Sequence, residues 1–253
     1  MRSSVRQKRN TRDQAQEQFT TLVKKRLNPK ALARHTRRFL RFFPKAFRDQ
    51  RYLDWEHDYK WESHKLWNQL LHEDEFKKLL RQREYIEIAQ RALRVEQRTV
   101  PPFLFSFEKM ALRDALRTID GAEPFSEALF NLLHGKDDLR SRFIEWIVAF
   151  GELPQKKSRV LSWPNLTFFP FIAQPTKHII LKPSAMRVAA AELEYDFEYS
   201  SKPSFMTYQS LLDLAHLVRE GIADLKPRNY HDLQTFLYVI GSREYEQLEE
   251  ELL

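Results

Sequence analysis

Along most of this chain apolar residues recur every three to four positions, and residues that end helices bound each such stretch. Ala15, Phe19, Leu22, Val23 and Leu27 keep this spacing from Asp13 until Asn28-Pro29 stops it. The next segment, KALARHTRRFLRFFPKAFRDQR, puts Leu32, His35, Phe39 and Phe42 or Phe43 on one stripe and Arg34, Arg37, Arg38 and Arg41 over much of the rest. Helices are predicted over 51–71, 74–80 and 83–95. In the first of them Trp55, Trp61 and Trp67 do not share a face, so at least two faces are expected to be buried. The consecutive prolines of 98–102, RTVPP, remove two backbone donors and place a subdomain boundary there.

Beyond that break, a helix beginning near Ser106 is expected to turn Phe107, Met110, Ala111 and Leu112 inward, with Glu108 in its first turn, where the helix dipole favours an acid. A second helix opens at Pro124 and ends at Gly135. A third buries Leu139, Phe143, Trp146, Ile147 and Phe150 and stops at Gly151. Later patterns predict helices over 184–193 and 205–219, then one capped by Asn229 with Asp232 at its third position. The tail SREYEQLEEELL reads as an exposed acidic helix.

Helical periodicity fails in one place. RVLSWPNLTFFPFIAQPTKHIILKPSAMR, residues 159–187, is rich in β-branched and aromatic residues and punctuated by prolines. The expected fold is therefore mainly α, a multi-helix bundle with a small β-hairpin or sheet element around residues 159–182. Its organisation reads as a disordered basic arm at 1–12, a basic and aromatic-rich helical region at 13–98, and a C-terminal helical domain at 103–253 holding the β element. Phe168, Phe169, Phe171, Ile172, Ile179, Ile180 and Leu181 are too many large apolar groups to leave in water together, so most belong to the core.

Composition narrows the chemistry. None of the 253 residues is cysteine, which excludes disulfides, thiolate metal centres and thiol nucleophiles and suits a reducing, cytoplasmic setting. The early residues lack an apolar run, so no secretory leader is expected, and the proline-interrupted run at 160–176 is no membrane span. Only five glycines occur, at 121, 135, 151, 221 and 241, and no phosphate loop or dinucleotide fingerprint can be drawn through them.

Charge is divided unevenly. Residues 1–51 carry 16 Lys/Arg against three acids, a surplus of +13, while the remainder is acidic at −6. That asymmetry points to a polyanion or an acidic partner surface for the N-terminal end. The reading is a non-enzymatic factor that holds DNA or RNA phosphates through Arg9, Arg12, Lys24, Lys25, Arg26, Arg34, Arg37, Arg38 and Arg41, with no membrane partner. The alternative is a protein-interaction subunit of a larger cytoplasmic assembly, docking an acidic partner with the same region or an aromatic surface near Trp55 to Trp67. A third reading, an enzyme, places a polar pocket where His178, Lys182, Arg228, His231, Asp232 and Gln234 flank apolar elements. No cofactor or metal is expected. His57, His64 and His72 fall within about 80° on a helix, but ligands two turns apart are roughly 10 Å from one another. Glu75 and Lys77 lie in a helical context rather than on the strand that a nuclease site needs.

Overall fold

The computed structural model describes residues 26–156 and 159–251, and among these there are helices, turns and extended segments but no strand. The basic arm at 1–12, most of the helix expected from Asp13, and Arg9, Arg12, Lys24 and Lys25 lie outside the described residues. The chain begins with α1 (Pro29–Phe42), passes through a helical rod made of α2 (Gln50–Tyr52), a π-helical turn (Leu53–His57) and α3 (Asp58–Leu71), and continues into α4 (Glu73–Arg81) and α5 (Tyr85–Arg98). After the proline break come α6 (Ser106–Ala115), α7 (Ile119–His134), α8 (Leu139–Glu152) and α9 (Trp163–Ala173). The last part comprises α10 (Pro183–Glu192), α11 (Phe205–Gly221), α12 (Tyr230–Gly241) and α13 (Arg243–Glu251). No helix among the described residues is long and apolar enough to cross a membrane.

One hydrophobic core runs through both sides of the proline break. Phe39 of α1 packs against Phe236 of α12 with ring centroids 5.3 Å apart, and Trp67 of α3 meets Phe169 of α9 at 6.3 Å. Near the middle, α12 buries almost every side chain and lies very close to α10. Gly241 permits that approach, because a Cβ there would stand 2.0 Å from the carbonyl oxygen of Ala185. On the other side of the contact, Ala185, Ala189 and Ala190 present only methyl groups.

The expected β element is not formed. Residues 163–173 make α9, and the reason is visible in local chemistry. The Ser162 hydroxyl accepts from Asn165 N, and Pro164 occupies the first turn, where a missing N–H costs nothing. All eleven residues of α9 are buried, so no polar face marks its period and the stretch resembles a strand in sequence. Pro170 lies inside the helix and cannot donate to the Leu166 carbonyl one turn back. Trp146 Nε1 of α8 donates to that carbonyl instead, at 2.8 Å. The extended run Ile179-Ile180-Leu181 is also fully buried, yet its amides are met by side chains rather than a ladder. Ile179 N donates to the Tyr208 hydroxyl at 3.3 Å, and Leu181 N to Thr167 Oγ1 at 2.9 Å. All seven apolar side chains assigned to the core from sequence are there.

Four residues expected to face inward do not. Trp55 and Trp61 are 45% and 37% exposed, and of the three tryptophans only Trp67 is buried. In the π-helical turn, Asp58 N donates to Leu53 O five residues back, so the register shifts. The stripe facing the core becomes Tyr52, Glu56, Lys60, Ser63, Trp67 and Leu71, half of it polar. Phe107 and Met110 face solvent because α6 turns in Glu108 and small or aliphatic neighbours. Glu108 is held there by Phe105 N at 3.0 Å and Ser162 Oγ at 2.8 Å. The acidic C-terminal helix is anchored rather than fully exposed, with Tyr245 buried against Phe42.

Candidate functional site

Local sequence fixes the position of α1. Asn28 Oδ1 accepts from Lys30 N and Ala31 N at 2.9 and 3.2 Å, Pro29 opens the helix, and the buried stripe Leu32, His35, Phe39 and Phe42 turns its basic side outward. Much of that side meets acids of the same chain. Arg34 pairs with Glu192 of α10 at 2.9 Å, and Glu192 also lies 3.1 Å from His35 Nε2. Burial, followed by the Arg34 charge, holds the His35 imidazolium less stable than in water. Arg38 and Arg41 both reach Glu249 of α13, and Arg38 donates further to Ile240 O at 3.1 Å. Three of the four arginines predicted on this helix therefore fasten it to the C-terminal helices. Lys30, Arg37, Lys45 and Arg48 are exposed and form no ion pair among the described residues; Arg26 is exposed at the start of the described chain.

The six polar residues expected to form one pocket are bound to different partners and line no common cavity among those described. Arg228 grips Asp232 with two side-chain bonds of 3.0 Å and its backbone N at 2.7 Å, while the Tyr52 hydroxyl donates to Asp232 Oδ1 at 2.5 Å. Next along α12, His231 Nε2–H donates to Phe171 O at 3.2 Å, and burial drives its pKa well below the ordinary imidazole value. His178 bonds elsewhere. Its Nδ1 lies within hydrogen-bond distance of the Tyr208 hydroxyl at 3.1 Å, and burial lowers its pKa to about 3. Lys182, at the start of α10, donates to Phe103 O and lies over the Phe105 ring.

Gln234 leads to a network the sequence did not reveal. Its Oε1 accepts from Lys60 Nζ at 2.8 Å; the same ammonium donates to Glu56 Oε2 at 3.0 Å and Thr235 Oγ1 at 2.6 Å. The Tyr245 hydroxyl completes the set by donating to Glu56 Oε1 at 2.7 Å. Lys60 is wholly buried, which lowers its pKa while Glu56 opposes the shift. All three ammonium hydrogens are engaged within the fold, so the group clamps α3, α12 and α13 together and has no donor left for a substrate. A lysine and a glutamate at i, i+4 look like an ordinary exposed helix pair in sequence. The signal available was their place on the same stripe as Tyr52 and Trp67.

The histidines of the rod are likewise engaged: His57 with Asp58 at 2.9 Å, and His64 with Ile172 O at 2.7 Å and Asn68 at 3.0 Å. Among the described residues no group of three His, Asp or Glu side chains is placed to hold a metal ion.

Two of the depressions on the described surface are bordered by exposed apolar side chains of several helices. One, of about 470 Å³, is bordered by exposed Ile144, Val148 and Met206 between α8 and α11. The larger, about 880 Å³, lies where the start of α6 meets α10 and the α12–α13 junction, and combines Phe105 and Val188 with Lys182, Arg187 and Arg243. No family model matches the chain, and neither a curated protein nor a solved structure matches it.

Proposed function

We propose that this chain is a nucleic-acid-associated binding protein that holds the phosphate backbone through its basic N-terminal segment. The observation that carries the reading is the +13 surplus in residues 1–51, of which Glu192 and Glu249 engage only Arg34, Arg38 and Arg41 on α1. The footprint on the described part of the chain then shifts from the arginines of α1 as a set to Arg37 together with Lys30, Lys45 and Arg48. These side chains can release counterions from a phosphate chain without first breaking a bond inside the protein.

Comparing two variants of the full chain on single-stranded and duplex oligonucleotides tests this. Replacing Arg37, Lys45 and Arg48 by Ala is expected to weaken binding to all sequences alike, whereas Arg34→Ala leaves affinity within about twofold. Equal affinity of the triple variant and the parent at low salt contradicts the assigned footprint. A second reading, a protein-interaction subunit, is favoured by the larger groove, where exposed aromatic and aliphatic groups collect beside cations.

A further inference from the structure

Four of the large apolar side chains that face water gather beside the larger groove. Phe105, Phe107, Met110 and Val188 are 62%, 55%, 58% and 48% exposed. The rings of Phe105 and Phe107 stack with centroids 5.7 Å apart and planes 11° from parallel, and Met110 follows Phe107 by three positions on the same side of α6. Phe105 and Val188 line the groove itself. Leaving such a cluster in water is unfavourable, and on a helical protein it marks a surface that another molecule covers.

The charges around the groove say what kind of molecule. Lys182, Arg187 and Arg243 line it, and none of the three forms an ion pair among the described residues. Lys182 Nζ stands 5.3 Å from the Phe105 ring centre while donating to Phe103 O, with the Glu108 and Glu244 carboxylates near enough to favour its charge; the Arg187 guanidinium stands 5.1 Å from the Tyr199 ring centre. The acid in the lining, Glu244, already accepts from the Tyr238 hydroxyl at 3.0 Å. An occupant that complements this surface must bring negative charge to Arg187 and Arg243 and apolar side chains to the space beside Phe105 and Val188.

We propose that this groove docks a short acidic peptide segment of a partner protein, with aromatic or aliphatic residues as its anchors. A polynucleotide suits the groove less well. Phe105 already carries Phe107 and Lys182 against its ring, which leaves a base little face to stack on. Tyr238 also borders the groove, its hydroxyl held by Glu244, and the rest of the apolar lining is aliphatic: Val188, Ala185, Ala191, Pro164 and Pro183. Such a lining accepts side chains of the size of leucine or phenylalanine. This inference stands on a different surface from the basic segment and does not depend on nucleic-acid binding.

Selecting displayed random dodecapeptides on the full chain, with counter-selection on a folded Phe105→Ala protein, tests it. Enriched sequences are expected to combine Asp or Glu with Phe, Leu or similar residues. A synthetic peptide of the selected sequence should lose about tenfold or more in affinity with either Phe105→Ala or Arg187→Glu and nothing with Arg37→Ala. All these positions are exposed, and an unchanged thermal melt confirms that the variants fold. Three results overturn the proposal: no sequence whose capture depends on Phe105, a basic consensus, or an oligothymidylate whose binding is abolished by Phe105→Ala while acidic peptides are ignored.

Discussion

The proline inside α9 gives a sharp test of how this core is held together. Replacing Trp146 by Phe removes the Nε1 donor that serves the Leu166 carbonyl, which Pro170 leaves without a helical partner. The carbonyl lies in the core, where an unmet acceptor costs about 1–3 kcal/mol, and the smaller ring adds a cavity cost beside Phe125 and Phe150. Pro170→Ala restores an N–H one turn beyond Leu166. In the parent that N–H finds a carbonyl already served; in Trp146→Phe it repairs the missing bond. Urea melts of the four proteins should therefore show Pro170→Ala more favourable by about 1–2 kcal/mol in the Trp146→Phe background, a coupling that also cancels the cavity term. Equal effects of Pro170→Ala in both backgrounds, within about 0.3 kcal/mol, would refute the substitution of a side-chain donor for the lost backbone one.

Other expectations follow from the same contacts. Phe171→Ala should cost about 3–5 kcal/mol in a urea melt, since its buried ring packs on Phe103 and His231, whereas exposed Lys177→Ala should cost about 0.5 kcal/mol or less. A Phe171→Ala protein that melts like the parent contradicts the core assignment. Lys60→Met strands the buried Glu56 carboxylate and should cost about 3–5 kcal/mol; adding Glu56→Leu should recover much of that, and no recovery would show the pair is not the source. His178 has its pKa lowered by burial to about 3, so below pH 6.5 the unfolded chain takes up a proton that the folded chain refuses. Its contribution to stability is complete above pH 6.5 and is lost at about 1.4 kcal/mol per unit as pH falls toward 3. His178→Asn should flatten the stability profile over that interval by one proton's worth, and an unchanged slope rejects the assignment.

Most helices were legible because their apolar residues lie on one face and their ends carry ordinary signals, such as Asn229 before α12; Asn28-Pro29, read as the stop of a preceding helix, caps and opens α1. Legibility ended where burial is complete or polar. In α9 every position is inside, so nothing alternates, and its aromatic and β-branched content resembles that of a strand although Ser162 and Pro164 open a helix. In the rod, the π-helical turn shifts the register and the inward stripe contains Glu56, Lys60 and Ser63, so apolar residues pointed to the wrong faces and left Trp55 and Trp61 misplaced. On α6 Glu108, Ala111, Leu112 and Ala115 do the packing while Phe107 and Met110 stay outside, so large apolar residues there mark the border of the larger groove rather than the core. The arginines of α1 were legible as a basic face, but the acids that meet them, Glu192 and Glu249, come from more than 150 positions away.

Salt titration of the full chain on a labelled oligonucleotide tests the central claim most directly. Phosphate contact by the basic segment predicts that the logarithm of the binding constant falls linearly with the logarithm of salt concentration, by about 0.7–0.9 for each phosphate contacted, with single-stranded and duplex DNA of any sequence bound at low salt. Binding no stronger than that of a neutral control protein, or an affinity that stays level as salt rises, contradicts it.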